Sequence, residues 1–186
     1  MRAIHSYDEI NTDESSIFIL SDPDILNLSA KEVRVRQHEL VCQKFEIVLG
    51  SKVTIDHTDE GAPILKEFPE INISISHSGE FIAVQWSKSI QIGLDIQKPR
   101  DGLYKGRYYF VNETEESIFE LNNDQLLIIW SAKEALYKLK KGRVERYKES
   151  LVILEIGEEF IDAKVEEEQV RCAYRQEKKF LLVYTL

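Results

Sequence analysis

Basic charge is scarce in this sequence: 24 Lys and Arg stand against 33 Asp and Glu, for a formal net charge of −9. That balance argues against a non-specific nucleic-acid binder, which needs a basic excess or a concentrated basic stripe. Long apolar runs are missing as well. Nothing approaches the roughly 20 residues of a membrane span, and Met1-Arg2-Ala3-Ile4-His5-Ser6-Tyr7-Asp8 carries no signal-peptide core. A cytoplasmic location with no membrane partner is the resulting expectation. The 2 cysteines, Cys42 and Cys172, lack metal-ligand spacing and read as small buried hydrophobes. Linkers longer than a loop are absent too. What remains is a chain of 186 residues with 43% hydrophobic content, enough for a real core in one ordinary domain or two small fused halves.

The stretch that organises the rest is Trp130-Ser131-Ala132-Lys133-Glu134-Ala135-Leu136-Tyr137-Lys138-Leu139-Lys140-Lys141. At roughly 100° per residue, Ala132, Ala135, Leu136 and Leu139 fall on one helix face, and Trp130, Glu134, Lys138 and Lys141 on the other. The first face is for the core. The second gathers a carboxylate, two ammonium groups and an indole, as a site for a metal ion and a phosphate requires. Glu134 and Lys138 taken alone equally make an ordinary i, i+4 pair.

Residues 90–97 alternate with period two, the mark of a strand with one buried face. Ile90, Ile92, Leu94 and Ile96 point one way; Gly93, Asp95 and Gln97 share the other, an acid and an amide beside a position with no side chain to block approach. An edge strand with a polar outer face gives the same pattern. Ser76-His77-Ser78-Gly79 lies where the apolar strand 71–75 runs into a turn, and the returning strand 81–86 is apolar on both faces. That hairpin brings His77 and Asp95 into one neighbourhood.

Upstream, residues 17–20 read as a strand closed by Ser21-Asp22-Pro23-Asp24. Ser29 caps a helix that runs to Leu49 and stops at Gly50, with Leu40, Val41, Phe45, Val48 and Leu49 as core positions. Its other side carries Lys31, Arg34, Arg36, His38 and Lys44, either a solvated face or an anion-binding one. Residues 53–56 read as a strand, and 103–122 as one or two short helices with Asn112 capping the acidic run Glu113, Glu115 and Glu116. From 143 onward the texture is a meander of strands, 143–147, 151–156, 160–165, 170–175 and 180–184. The class is α+β.

Ser-His-Ser, then Gly93-Leu94-Asp95-Ile96-Gln97, then the helix Trp130 to Lys138 together resemble the 4′-phosphopantetheinyl transferases of the surfactin-synthetase-activating type. Their pattern is a His in a Ser-His-Ser turn, a Gly-x-Asp-x-Glu strand and a Trp-x-x-Lys-Glu-x-x-x-Lys helix; the helix match is complete and the most specific. With Gly61-Ala62-Pro63-Ile64-Leu65 and Tyr109 to Glu115, the likeness covers roughly residues 30 to 145. It implies two pseudo-symmetric α+β halves, here 1–89 and 90–186, with the active site in the cleft between them. It also implies a monomer, because short relatives complete that cleft with a second subunit.

The implied activity moves the 4′-phosphopantetheine arm of coenzyme A onto a serine of an apo acyl carrier protein, or of a peptidyl or polyketide carrier domain, and releases 3′,5′-ADP. Holding negative charge and aligning the hydroxyl are then the main tasks. The likeness puts Asp95, Glu134 and the residue at 97 on Mg²⁺, Lys138 on the α-phosphate, His77 on the phosphates from the other half and Lys133 near the arm. It leaves the general base between Glu134 and a water at the metal. Arg36, Lys44 and Lys31 are its candidates for the 3′-phosphate end of coenzyme A, with Lys44 where Arg is expected, a point charge rather than a fork. Glu115 matches a further family acid.

Two departures stand out: Ala62 replaces a common Lys, and Gln97 replaces Glu, an amide that coordinates without bringing charge. Two other readings stand beside the transferase, the first of them motivated by these departures. One is a catalytically weakened scaffold that binds coenzyme A or a carrier; the other is a metal-dependent pyrophosphate hydrolase with water as acceptor, against which the intact helix motif argues. For docking an acidic carrier helix, Lys140, Lys141, Arg143, Arg146 and Lys148 form one basic concentration and Lys105 with Arg107 another.

Overall fold

The computed structural model describes residues 6–186; the reading of the extreme N-terminus rests partly on residues 1–5, which lie outside it. The elements in chain order are β1 (Ser6–Asn11), β2 (Ser16–Ser21), a short 3-10 turn (Pro23–Asn27), α1 (Ala30–Leu49), β3 (Ile55–His57), β4 (Pro63–Leu65), β5 (Asn72–Ser78), β6 (Phe81–Ser87) and β7 (Leu94–Gln97). There follow α2 (Leu103–Gly106), a 3-10 turn (Arg107–Tyr109), α3 (Glu113–Ile118), α4 (Asn123–Leu139), α5 (Tyr147–Ser150), β8 (Leu151–Ile156), β9 (Phe160–Val165), β10 (Glu168–Gln176) and β11 (Leu181–Thr185). The fold is mixed α+β with two sheets, ordered β1-β2-β6-β5-β4-β3 and β7-β11-β10-β9-β8. Among the described residues every strand pairing in them is antiparallel.

Local chemistry accounts for most of these boundaries. Ser29 and Glu32 form a capping box at the start of α1, and Gly50, at φ 67°, closes it in the left-handed conformation. Asn112 and Glu115 form the same box on α3. Strand alternation then divides the apolar residues among three cores. Phe18, Leu20, Ile82 and Val84 pack under α1 with Leu40, Val41 and Phe45. Leu181 and Val183 pack under α4 with Ala132, Ala135 and Leu136. The opposite faces of the same strands, Ile17, Ile19, Phe81, Ala83, Leu94, Ile96, Phe180 and Leu182, make a third core that joins the two sheets.

Several expectations are corrected here. Residues 6–11 form a strand that the polar run Ser-Tyr-Asp-Glu does not announce; its register comes from β2. Val48 is exposed, since Val41, Phe45 and Leu49, four apart, take the core face of α1 and leave Val48 off it. Residues 143–146 are not a strand: Lys141 and Gly142 take positive φ after α4, and the chain leads into α5. The strand read over 90–97 is restricted to β7, which pairs with β11 rather than with β6.

Gly93 has a different reason from the one expected. A Cβ there would lie 2.0 Å from the Ala135 carbonyl oxygen and 2.6 Å from the Leu139 nitrogen, so the absent side chain makes room for the α4 backbone rather than for a ligand. Neither neighbour is a flexible side-chain end. Gly93→Ala is expected to cost about 3 kcal/mol, lowering Tm by about 6–12 °C for a chain of this size. A thermal melt within 2 °C of the parent would show that this contact is not so tight.

Candidate active site at the seam between the sheets

The two sheets are tied along β5 and β7 by hydroxyl groups. Ser74 Oγ accepts from the Leu94 N–H (3.0 Å), Ser76 Oγ donates to Asp95 Oδ1 (2.7 Å) and Ser78 Oγ accepts from the Lys98 N–H (2.9 Å). β5 places every second side chain on this seam, and in Ser-x-Ser-x-Ser each of them is a small hydrogen-bonding group. His77 lies between the last two serines and is exposed. Surrounding protein still desolvates its ring and holds the pKa below the usual imidazole value; the Lys138 ammonium adds to this and the Asp95 carboxylate opposes it.

Asp95 is 2% exposed and accepts from three donors. Lys138 Nζ (2.9 Å) joins Ser76 on Oδ1, and Gln97 Nε2 (3.0 Å) sits on Oδ2. Lys138 also donates to the Leu94 carbonyl at 3.0 Å. Its stem spans from α4 to β7, which is the close approach that Gly93 permits. Glu134, half-buried one turn earlier, accepts at Oε1 from the Tyr147 hydroxyl at 2.7 Å. The sequence reading had Tyr147 as a strand residue, so this contact was not anticipated.

Tyr147 also reports the local field. Its phenol pKa is raised, foremost by burial and then by the negative charges of Glu134, Asp95 and Glu115. Of these carboxylates Asp95 is paired with Lys138 and Glu115 with Lys133, whereas Glu134 has the Tyr147 hydroxyl as its partner. Hard carboxylate oxygens such as those of Asp95 and Glu134 suit Mg²⁺, and the Gln97 side chain carries a neutral amide oxygen as well as the Nε2 that donates to Asp95. Among the described residues no group of three or more His, Cys, Asp and Glu side chains has metal-binding proximity. Asp95 and Glu134 are the carboxylates that would hold a metal here, its remaining positions being taken by other oxygen donors.

Lys133 is placed elsewhere than expected. It is 0% exposed, inside the C-terminal half, with Nζ 2.8 Å from Glu115 Oε2 and bonded to the carbonyls of Phe110 (2.6 Å) and Lys148 (3.2 Å). Burial lowers its pKa, with Glu115 opposing. Glu115, also 0% exposed, further accepts from the N–H groups of Asn112 (2.9 Å) and Ile153 (2.8 Å). Trp130 leaves the Glu134 face too: it packs edge-on against Phe110 at 5.1 Å and under Arg100 at 5.4 Å.

A cavity of about 690 Å³ lies between α1 and the first sheet, lined by Arg34, His38, Glu39, His57, Gly61 and His77 among others. A smaller one, about 180 Å³, holds Ala62, Asn72, Lys138, Lys141 and Gly142. Gly61, Pro63 and Ile75 line both, so the two spaces adjoin. Together they run from α1 past His77 to Lys138. Arg36, Lys44 and Lys31 are not among the lining residues. Arg36 pairs with Asp22 at 2.7 Å, Lys44 pairs with Glu9, and Lys31 is exposed. The helix turn explains the exchange: Arg34, His38 and Val41 share the face toward the cavity, and Arg36 and Lys44 point to the β1 side. Arg34 and His38, four apart and in step with Val41, carried that signal in the sequence.

Of the first basic concentration, Lys140 pairs with Glu168, Arg143 with Glu60 at 2.8 Å and Arg146 with Glu149 at 3.9 Å, while Lys141 donates to Asn72 Oδ1 at 3.3 Å. The Lys141 and Arg143 contacts cross from one half to the other. Around Lys105 and Arg107 the surface is different. Tyr104, Tyr108 and Tyr109 are 55%, 55% and 70% exposed, and the Arg107 guanidinium stacks on Tyr104 at 3.9 Å.

No family model matches the chain. Over 123 residues it is 27% identical to the L-aminoadipate-semialdehyde dehydrogenase-phosphopantetheinyl transferase of Rattus norvegicus, a stretch that is 56% of this chain and 40% of that protein. The chain thus matches less than half the length of this relative. The similarity is to a phosphopantetheinyl-transferase-type enzyme. No helix among the described residues is long and apolar enough to cross a membrane.

Proposed function

We propose that this protein is a Mg²⁺-dependent 4′-phosphopantetheinyl transferase, acting on coenzyme A and a serine of an apo carrier protein. The observation that carries the reading is the Lys138–Asp95 pair at 2.9 Å on the seam, with Glu134 one turn before Lys138 on α4 and with His77 and Lys138 lining an adjoining pair of cavities. Strand β5 supplies His77, β7 supplies Asp95 and α4 supplies Glu134 and Lys138. The helix–sheet–sheet–helix arrangement supports the two-half fold that the motif resemblance implies, and the similarity to the rat transferase supports the activity.

In this reading the larger cavity takes the nucleotide end of coenzyme A, with Arg34 and His38 as phosphate partners in place of Arg36, Lys44 and Lys31. Apolar walls with a few placed cationic or hydrogen-bonding groups are what such a ligand needs. The chain then passes His77, which hydrogen-bonds the pyrophosphate, and Lys138, whose ammonium neutralises the leaving 3′,5′-ADP. Mg²⁺, when held by Asp95 and Glu134, supplies charge neutralisation of the pyrophosphate. Glu134 receives the proton of the attacking serine. Lys133, in the core, is a structural partner of Glu115. An acidic carrier helix meets the exposed Tyr104, Tyr108, Tyr109 and Lys105, with Arg107 held between the Tyr104 ring and Glu116.

Gln97 supports the weakened-scaffold reading to one extent: in this arrangement it donates to Asp95 instead of facing away. Gln97→Glu puts a third carboxylate at the site and is expected to tighten Mg²⁺ by about tenfold. Calorimetric titration of both forms in the presence of coenzyme A checks this; equal affinities would show that position 97 has no part in metal binding. For the function itself, chromatography should show 3′,5′-ADP formed from coenzyme A only when Mg²⁺ and an apo carrier are both present. Product formed without a carrier would instead identify a hydrolase.

A further inference from the structure

α5 is one turn long, yet a carbonyl within it is held by two buried side chains. The carbonyl of Lys148 accepts from Lys133 Nζ at 3.2 Å and from Asn112 Nδ2 at 3.3 Å. Both donors are themselves fixed. Lys133 is held by buried Glu115, and Asn112 is the cap of α3, closed by the same Glu115. The residue just before this anchored carbonyl is Tyr147, whose ring lies 5.7 Å from that of Tyr137 on α4 and whose hydroxyl reaches Glu134. A rigid path therefore leads from the core of the C-terminal half to one oxygen of one carboxylate.

We propose that Tyr147 is a positioning residue for Glu134: its hydroxyl fixes Oε1 so that the carboxylate is oriented before a cation arrives, an inference that rests on the Mg²⁺-dependent transfer reading. A glutamate side chain has three rotors, and a free one must be ordered at the moment of binding. Donation from an immobile phenol does that ordering in advance. It occupies a lone pair on Oε1 and leaves Oε2, for which the structure gives no other partner among the described residues, for the cation. Hydrogen-bond partners behind metal ligands commonly act in this way. Tyr147 touches neither coenzyme A nor carrier in this account; it acts through Glu134.

The test is calorimetric titration of Mg²⁺ into the full chain saturated with coenzyme A, with no carrier present, for the parent, Tyr147→Phe and Glu134→Ala. Phenylalanine keeps the ring against Tyr137 and removes only the hydroxyl. The expected result is Mg²⁺ binding weakened about tenfold in Tyr147→Phe and lost in Glu134→Ala. In carrier modification, the Tyr147→Phe defect should be recovered to within about threefold in kcat at saturating Mg²⁺, a split that general loss of structure does not produce. Mg²⁺ affinity of Tyr147→Phe within about twofold of the parent, with Glu134→Ala still defective, overturns the role of Tyr147 and leaves the transferase reading standing. A parent that takes up no Mg²⁺ under these conditions overturns both.

Discussion

Glu134→Ala is expected to lower the rate of carrier modification by about 10²–10³-fold or more while leaving the protein folded. Glu134 is half-buried, and Tyr147 is its hydrogen-bond partner in the structure, so truncation leaves no buried charge and no cavity in the core around Ala132, Ala135 and Leu136. In the proposed reaction it has two tasks, metal ligand and proton acceptor, and alanine performs neither. The neighbouring Lys138–Asp95 pair stays in place. Steady-state kinetics beside a thermal melt separates the outcomes. A large fall in kcat with Tm near the parent value agrees with the assignment, and full activity removes Glu134 from the site.

The second large effect is on stability. Lys133→Met should destabilise the protein by about 3–5 kcal/mol, because removing one partner of a buried ion pair strands the other. Both partners are 0% exposed. Glu115 would keep its two backbone N–H donors, and the Phe110 carbonyl would lose the donor it has at 2.6 Å. At about 2–4 °C of Tm per kcal/mol for a chain of this length, the melt should fall by about 6–20 °C. Adding Glu115→Gln to Lys133→Met removes the stranded charge while keeping an acceptor for the N–H groups, and should restore part of the loss. That non-additivity, read as a double-mutant cycle, distinguishes a buried ion pair from two independent packing contacts. If the two losses simply add, the pair contributes nothing as a pair.

These two residues are adjacent in the sequence, which shows what could be read from it and what could not. The sequence showed α4 as a two-faced helix because 3.6-residue periodicity is local, and it showed the caps at Ser29, Asn112 and Gly50 because capping chemistry lies within three or four residues. The four strands β8 to β11 were legible for the same reason. His77, Asp95, Glu134 and Lys138 were named from motif spacing; the structure pairs Asp95 with Lys138, sets Glu134 one turn before Lys138 on α4, and places His77 on the other face of β5, lining the larger cavity. Lys133 could not be placed, since the acid that buries it is eighteen positions upstream and nothing local links them. Nor could Gly93, whose reason is the α4 backbone pressed against it.

The remaining differences are of one kind. β1 exists because β2 offers it an edge, and α5 exists because Lys133 and Asn112 hold its carbonyl; neither residue run has a periodicity of its own strong enough to declare it. On α1 the basic residues were all visible, but which of them face the cavity depends on where the sheet lies. Arg36 and Lys44 find Asp22 and Glu9, and Arg34 with His38 are left toward the open space. Tyr147 is the clearest case. A tyrosine in a run read as strand gives no sign of reaching back to a carboxylate on the preceding helix.

The measurement that bears most directly on the whole account is intact-mass spectrometry of an apo acyl carrier protein incubated with this protein, coenzyme A and Mg²⁺. The account predicts a gain of about 340 Da on the carrier, the mass of one phosphopantetheine arm in phosphodiester linkage to serine, and no gain when Glu134→Ala replaces the parent. An unmodified carrier, with coenzyme A bound and Mg²⁺ present, would contradict it.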